Sequence, residues 1–188
     1  MKKISLVLVF TVFLGILDAC IDCGCGKTLP YFDFSSLALT ATAPAIDGKP
    51  LQINVRPDDL TYLACLHPRL LSAAYACSCN ENGDQGPKYP LAEISVTADR
   101  DFNAALPAGA ELNSLFRLTN ALQTTPEHPL DTISRLQYWA YGFSPYESGF
   151  TLHCQATPDS SGLAFRFTIT LKKSDGSAVS GETEAISW

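Results

Sequence analysis

The sequence predicts an all-β fold: an antiparallel β-sandwich, immunoglobulin-like in the loose sense, of about nine strands with one or two short helices. Three observations carry that reading. Apolar and polar residues alternate with a period of two along run after run, the pattern of a half-buried strand. Turn-forming pairs separate the runs: Asp47-Gly48, Asn82-Gly83, Gly86-Pro87, Ser161-Gly162 and Asp175-Gly176. Helical periodicity is scarce, with Pro68–Ala76 and Glu111–Phe116 as the only short candidates. Many short strands joined by turns pack as a sandwich, with a closed barrel as the alternative.

The first run is Tyr31–Thr42. Phe32 and Phe34 share one face, the phase shifts at Ser35-Ser36, and Leu37, Leu39 and Ala41 continue it. A phase shift inside a strand predicts a bulge. In the next runs Leu51, Ile53 and Val55 face inward, as do Ala92, Ile94, Val96 and Ala98. Phe150, Leu152, Cys154 and Ala156 alternate with Thr151, His153 and Gln155. The clearest run places Leu163, Phe165, Phe167, Ile169 and Leu171 inward. With the turn Ser174–Ser177 and a run over 178–187 it reads as a hairpin. Weaker runs cover 60–66, 114–119 and 133–143. Arg117–Leu130 reads as a long connection, and 80–90 as a polar loop.

Length and composition bound the function. The 188 residues suit one domain, 46% apolar residues are too many for a disordered chain, and 17% charged residues are too few for a coiled coil. Thirteen basic residues against nineteen acidic give a net charge of −6, which disfavours nucleic acid as a partner.

The N-terminus sets the compartment. Lys2 and Lys3 precede an apolar run from Ile4 to Leu17. Such a run rises about 21 Å as a helix, short of a bilayer core of about 30 Å, and reads as a secretory signal peptide. It ends Leu17-Asp18-Ala19-Cys20, which resembles a bacterial lipobox. Leu17, Ala19 and Cys20 fit the pattern and Asp18 departs from it. The resemblance implies that Cys20 is lipidated and becomes the first mature residue. Residues 1–19 are then the signal peptide, 20–30 a Cys- and Gly-rich tether, and 31–188 the sandwich domain. Removing Lys2, Lys3 and Asp18 with the signal takes the net charge from −6 to −7. Several acyl chains anchor a protein stably, at about 0.8 kcal/mol per buried CH₂. By analogy with lipoprotein sorting, Ile21 after the cysteine favours the outer membrane, and the single Asp22 leaves both faces open.

Seven cysteines are present. With Cys20 lipidated, Cys23, Cys25, Cys65, Cys77, Cys79 and Cys154 remain, an even set that an oxidising compartment favours as disulfides. Adjacent bridging inside each Cys-x-Cys pair is strained. Bridging the two pairs to each other would leave Cys65 to Cys154. The alternative is a thiolate metal site built from Cys23, Cys25, Cys77 and Cys79, although zinc pairs usually have wider spacing.

No catalytic constellation stands out, so no cofactor and no enzyme activity is expected. His67, His128 and His153 read as solvated surface residues, and no Gly-x-Ser-x-Gly elbow occurs. Asp58-Asp59 and Asp99-x-Asp101 are carboxylate pairs for which turn duty is commoner than glycoside chemistry. Asn80–Asp84 lacks the glycine and glutamate of an EF-hand loop. In the aromatic run 138–143, Trp139 and Tyr141 share a face. They are core residues, or, if exposed, a platform for a glycan or a protein.

The lipobox, the Cys-rich tether, Leu29–Phe34 and Ile94–Asn103, with Pro107–Gly109 and Leu112–Phe116 after it, together resemble small Bacteroidota-type lipoproteins of unassigned function. The resemblance implies a membrane-anchored, non-enzymatic binding or envelope-assembly accessory. The alternatives are a thiolate metal-binding protein and a carbohydrate-binding module.

Overall fold

The computed structural model describes residues 29–44, 50–63, 82–83, 85–120, 127–135, 149–159 and 162–188. Cys20, Cys23, Cys25, Cys65, Cys77, Cys79, His67, Trp139 and Tyr141 lie outside them, as do the 68–76 helix candidate and most of the 133–143 run. Among the described residues no helix is long and apolar enough to cross a membrane.

The fold is all-β and sandwich-like, with antiparallel sheets. The first sheet has the order β1-β2-β6-β4-β5: β1 is Tyr31–Thr42, β2 Gln52–Leu63, β6 Phe150–Cys154, β4 Phe116–Asn120 and β5 His128–Pro129. The second has the order β3-β8-β9: β3 is Leu91–Ala98, β8 Phe167–Lys173 and β9 Ala178–Glu182. A two-stranded piece joins β7, Ala164–Phe165, to β10, Ile186–Ser187.

Alternation fixes which side chains meet between the sheets. Ile53, Val55, Phe116, Leu118, Phe150 and Leu152 are buried from the first sheet. Ile94, Val96, Phe167, Ile169 and Leu171 meet them from the second. The Phe116 and Phe167 rings span the gap edge to face at 5.9 Å. At one side of the sandwich Gly181 of β9 lies under Leu37 and Leu39 of β1. A Cβ at that glycine would stand 3.0 Å from Leu39 Cδ1, so any larger residue would push the leucine aside by a few tenths of an ångström.

Several expectations are corrected. The phase shift in β1 does not slip the ladder: Phe34 faces Leu60 and Ser36 faces Asp58, in one register. Each strand gains a residue at the same level. Opposite Ser35, Asp59 takes a left-handed φ of 49° and accepts a hydrogen bond from Ser36 Oγ at 2.8 Å. The run at 51–56 and the described part of the run at 60–66, as far as Leu63, therefore belong to one strand, β2, with the same shift inside it. A true bulge sits instead in β3, at the register break between Leu91 and Glu93. It turns Leu91 inward and leaves Ala92 exposed, where the sequence placed Ala92 in the core.

The long run 163–173 is broken at Arg166. Asp99 Oδ1 accepts the Arg166 N–H at 2.9 Å, and the Asp99 N–H donates to the Arg166 carbonyl at 3.0 Å. Phe165 then pairs with Ile186 of β10, and Leu163 is left 44% exposed rather than buried. The hairpin itself forms between β8 and β9. Residues 130–135 form a 3₁₀ helix, not the start of a strand, and a shorter 3₁₀ turn spans Asn113–Leu115. The expected connection over 117–130 contains β4 to Asn120 and all of β5.

Candidate functional site

The start of β1 is densely hydrogen-bonded to a distant part of the chain. Residues 29–34 are tied on their outer side by the 82–88 strap. Asn82 Oδ1 accepts the Leu29 N–H at 2.8 Å, and the Gly83 N–H donates to the Leu29 carbonyl at 2.8 Å. The Gln85 N–H donates to the Pro30 carbonyl, the Phe32 N–H to the Gly86 carbonyl, and the Lys88 N–H to the Phe32 carbonyl. Gly83 and Gly86 hold φ of 80° and 84°, a left-handed backbone that glycine adopts without strain. The Asn82-Gly83 and Gly86-Pro87 signals in the sequence thus mark the strap that holds β1.

One buried cation completes the attachment. Lys173, at the end of β8, has a side chain only 4% exposed. Its Nζ donates to Asp33 Oδ1 at 2.5 Å and to the Phe34 carbonyl at 2.6 Å, and it lies 4.3 Å from the Phe34 ring centroid. Asp33 Oδ1 also accepts the Phe34 N–H at 2.9 Å. Desolvation makes a buried ammonium costly unless it is paired and hydrogen-bonded, and these partners meet that need. Lys173 was not singled out from the sequence. The signal for it was the alternation itself, which puts position 173 on the inward face with Phe167, Ile169 and Leu171.

His153 corrects the expectation of a surface histidine. It is 8% exposed, and its Nε2 lies 2.9 Å from Thr119 Oγ1, with Thr119 itself buried. Both side chains stand on the face of the first sheet opposite the core. On the same face Thr151 Oγ1 donates to Asn54 Oδ1 at 2.7 Å.

Cys154 carries a free thiol, and Cys65, its candidate partner, lies outside the described residues. It is buried against the core, and its Sγ donates to the Ala156 carbonyl at 3.3 Å. Burial pushes its pKa up to about 11, partly opposed by that hydrogen bond. The thiol therefore stays protonated through neutral pH, and the thiolate is the reactive form. We expect Cys154 to resist a thiol reagent at pH 8 in the native protein and to react once denatured. Peptide mapping of alkylated protein checks this, and rapid native labelling of Cys154 would contradict its burial.

The other candidate groups have structural duties. Asp99 fastens Arg166, and Asp101 Oδ1 accepts the Ala108 N–H at 2.8 Å in the following turn. Asp59 holds Ser36. Among the described residues no three His, Cys, Asp or Glu side chains converge as a metal site.

The fold and these attachments define an all-β, sandwich-like domain whose first strand is held from both sides. No protein-family model, no curated protein and no solved structure matches the chain.

Proposed function

We propose that the chain is a lipid-anchored, extracytoplasmic β-sandwich protein of the outer membrane, serving as a non-enzymatic binding or envelope-assembly accessory. The observation that carries this reading is Leu17-Asp18-Ala19-Cys20 at the end of a short apolar run that follows Lys2-Lys3. A thioether-linked, multiply acylated Cys20 would hold the chain on the bilayer without a spanning helix.

The attachment of β1 supports the reading from the other end of the tether. An anchored domain meets the membrane through its N-terminal segment, and that segment joins the domain at residues 29–34. The strap at 82–88 and the Lys173 ion pair secure those residues to distant parts of the chain.

Metabolic labelling with a palmitate analogue tests the anchor. The wild type is expected to take up label and to partition with membranes, and Cys20→Ser is expected to lose the label. Label persisting in Cys20→Ser would overturn the reading.

A further inference from the structure

Among the described residues, loop and side-chain bonds close the outer edge of β3 and the first half of β1, while the second half of β1 and the outer edge of β9 carry none. On β3 the Asn113 carboxamide bonds the Val96 N–H and the Ile94 carbonyl at 2.9 and 2.8 Å. The Leu112 N–H donates to the Val96 carbonyl, and the Gly109 N–H to the Ala98 carbonyl, both at 2.8 Å. The first half of β1 is closed in the same manner: the strap bonds Phe32, and Asp33 and Lys173 bond Phe34.

From Leu37 to Thr42 the outer edge of β1 takes no hydrogen bond from a described residue, although Gly181 of β9 packs against the Leu37 and Leu39 side chains. The direction of its groups follows from a neighbouring bond. The Cys154 N–H donates to the Leu51 carbonyl, so residues 51, 53 and 55 of β2 turn their bonding groups toward β6. Residues 52, 54 and 56 turn theirs toward β1, where they face Thr42, Thr40 and Ala38. Leu37, Leu39 and Ala41 are left presenting their N–H and C=O groups outward, three donors and three acceptors in a row. Ala38, Thr40 and Thr42 are exposed on the outer face of the sheet, and Leu37, Leu39 and Ala41 are half-buried on the other.

The chemistry of this half-strand is unusual for an exposed edge. Natural edges carry lysine, proline or a bulge, or are short or covered, to prevent pairing. Leu37-Ala38-Leu39-Thr40-Ala41-Thr42 has no charge, no proline and no glycine, and no charged residue occurs from Phe34 to Ile46.

We propose that Leu37–Thr42 is a strand-addition edge, and that its occupant is a second copy of this chain paired antiparallel about a two-fold axis at Leu39. The sequence of the edge suits itself in that register. Leu39 faces Leu39, Leu37 faces Ala41 on the same side, and Ala38 faces Thr40 on the outer side. The three outward residues of each copy exchange six backbone hydrogen bonds, and half-buried Leu37 and Leu39 gain apolar neighbours. No charged side chain meets its like across the axis. A net charge of −6 per copy repels over the remaining surface, so this neutral edge is the favoured place of contact, and salt strengthens the association.

Sedimentation equilibrium of the full chain in density-matched detergent tests the proposal. The expected mass is twice that of one chain, with tighter association as salt is raised. Ala41→Pro removes an outward N–H without touching the bonds to β2, so the fold survives while pairing weakens. The axis counts that loss twice, giving about thirtyfold weaker association. Thr40→Lys, a side-chain change that leaves the backbone intact, is expected to weaken pairing by about tenfold or more through like charges near the axis. Ala92→Lys, on the exposed bulge of β3, is expected to leave the mass unchanged. A single-chain mass for the wild type at the highest attainable concentration overturns the proposal. So does a wild-type dimer that both β1 variants preserve.

Discussion

Phe167→Ala is expected to lower the unfolding free energy by about 3–5 kcal/mol, read as a fall in the urea midpoint without a change of slope. Phe167 is fully buried at the start of β8. Its ring meets Phe116 from the opposite sheet at 5.9 Å, stacks at 6.3 Å on Phe165, and contacts Trp188 at 6.1 Å. Phe102 adds two more contacts, at 6.2 Å to Phe165 and 5.9 Å to Trp188. Removing one ring takes away its transfer free energy and opens a cavity among rigid neighbours that cannot collapse into it. Leu163→Ala is the matched control. It belongs to the same alternating run but is 44% exposed, and is expected to change stability by less than about 0.5 kcal/mol. A cost below about 1 kcal/mol for Phe167→Ala would mean that this aromatic cluster does not join the sheets.

Asp33→Ala is expected to destabilise more than Lys173→Met, although both remove the same ion pair. The two partners are unequally buried, with side-chain exposures of 31% for Asp33 and 4% for Lys173. Without Asp33 the ammonium stays in the interior, held by the Phe34 carbonyl and ring alone, and the cost is about 3 kcal/mol or more. Without Lys173 the carboxylate is reached by water, and methionine replaces most of the lysine stem. The remaining loss is the hydrogen bond to the Phe34 carbonyl, about 1–2 kcal/mol. Urea unfolding of the two variants under identical conditions gives the order. Lys173→Met proving the more damaging would show that the pair is not organised around a buried cation. Because Asp33 and Phe34 lie next to the strap, hydrogen exchange at residues 31–34 is also expected to accelerate more in Asp33→Ala.

Much of the strand pattern was legible because alternation is a local property of the extended chain. Side chains two residues apart share a face whatever the strand pairs with, so Ile53, Val55, Ile94, Val96, Phe165 and Ile169 could be placed inward from residue type alone. The hairpin of β8 and β9 was legible for the same reason, with Asp175-Gly176 at its turn. The misread positions have a common cause in contacts from far along the chain. Asp99 breaks the run at Arg166 from 67 residues away, so Leu163 falls outside the core. His153 has the polar character of a surface residue, and its burial beside Thr119 comes from tertiary packing. The paired shift at Ser35 and Asp59 needed both strands in view, since one strand alone cannot distinguish a bulge from a matched insertion.

The candidate site was less legible than the fold. Cys20 is a reading of sequence, and the fold neither adds to it nor subtracts from it. The strap and the Lys173 pair were invisible as a site because their parts come from residues 29–34, 82–88 and 173.

The sequence by itself determined the all-β class, the faces of most strands, the acidic balance and the motif that nominates Cys20, because each depends on composition or on neighbours a few residues apart. Tertiary structure alone decided which strand lies beside which, where Lys173 finds its partners, and that His153 is buried. It also decided which half of β1 is sealed and which stands open. Those outcomes depend on segments tens of residues apart, and on the requirement that every backbone group and charge taken from water find a partner.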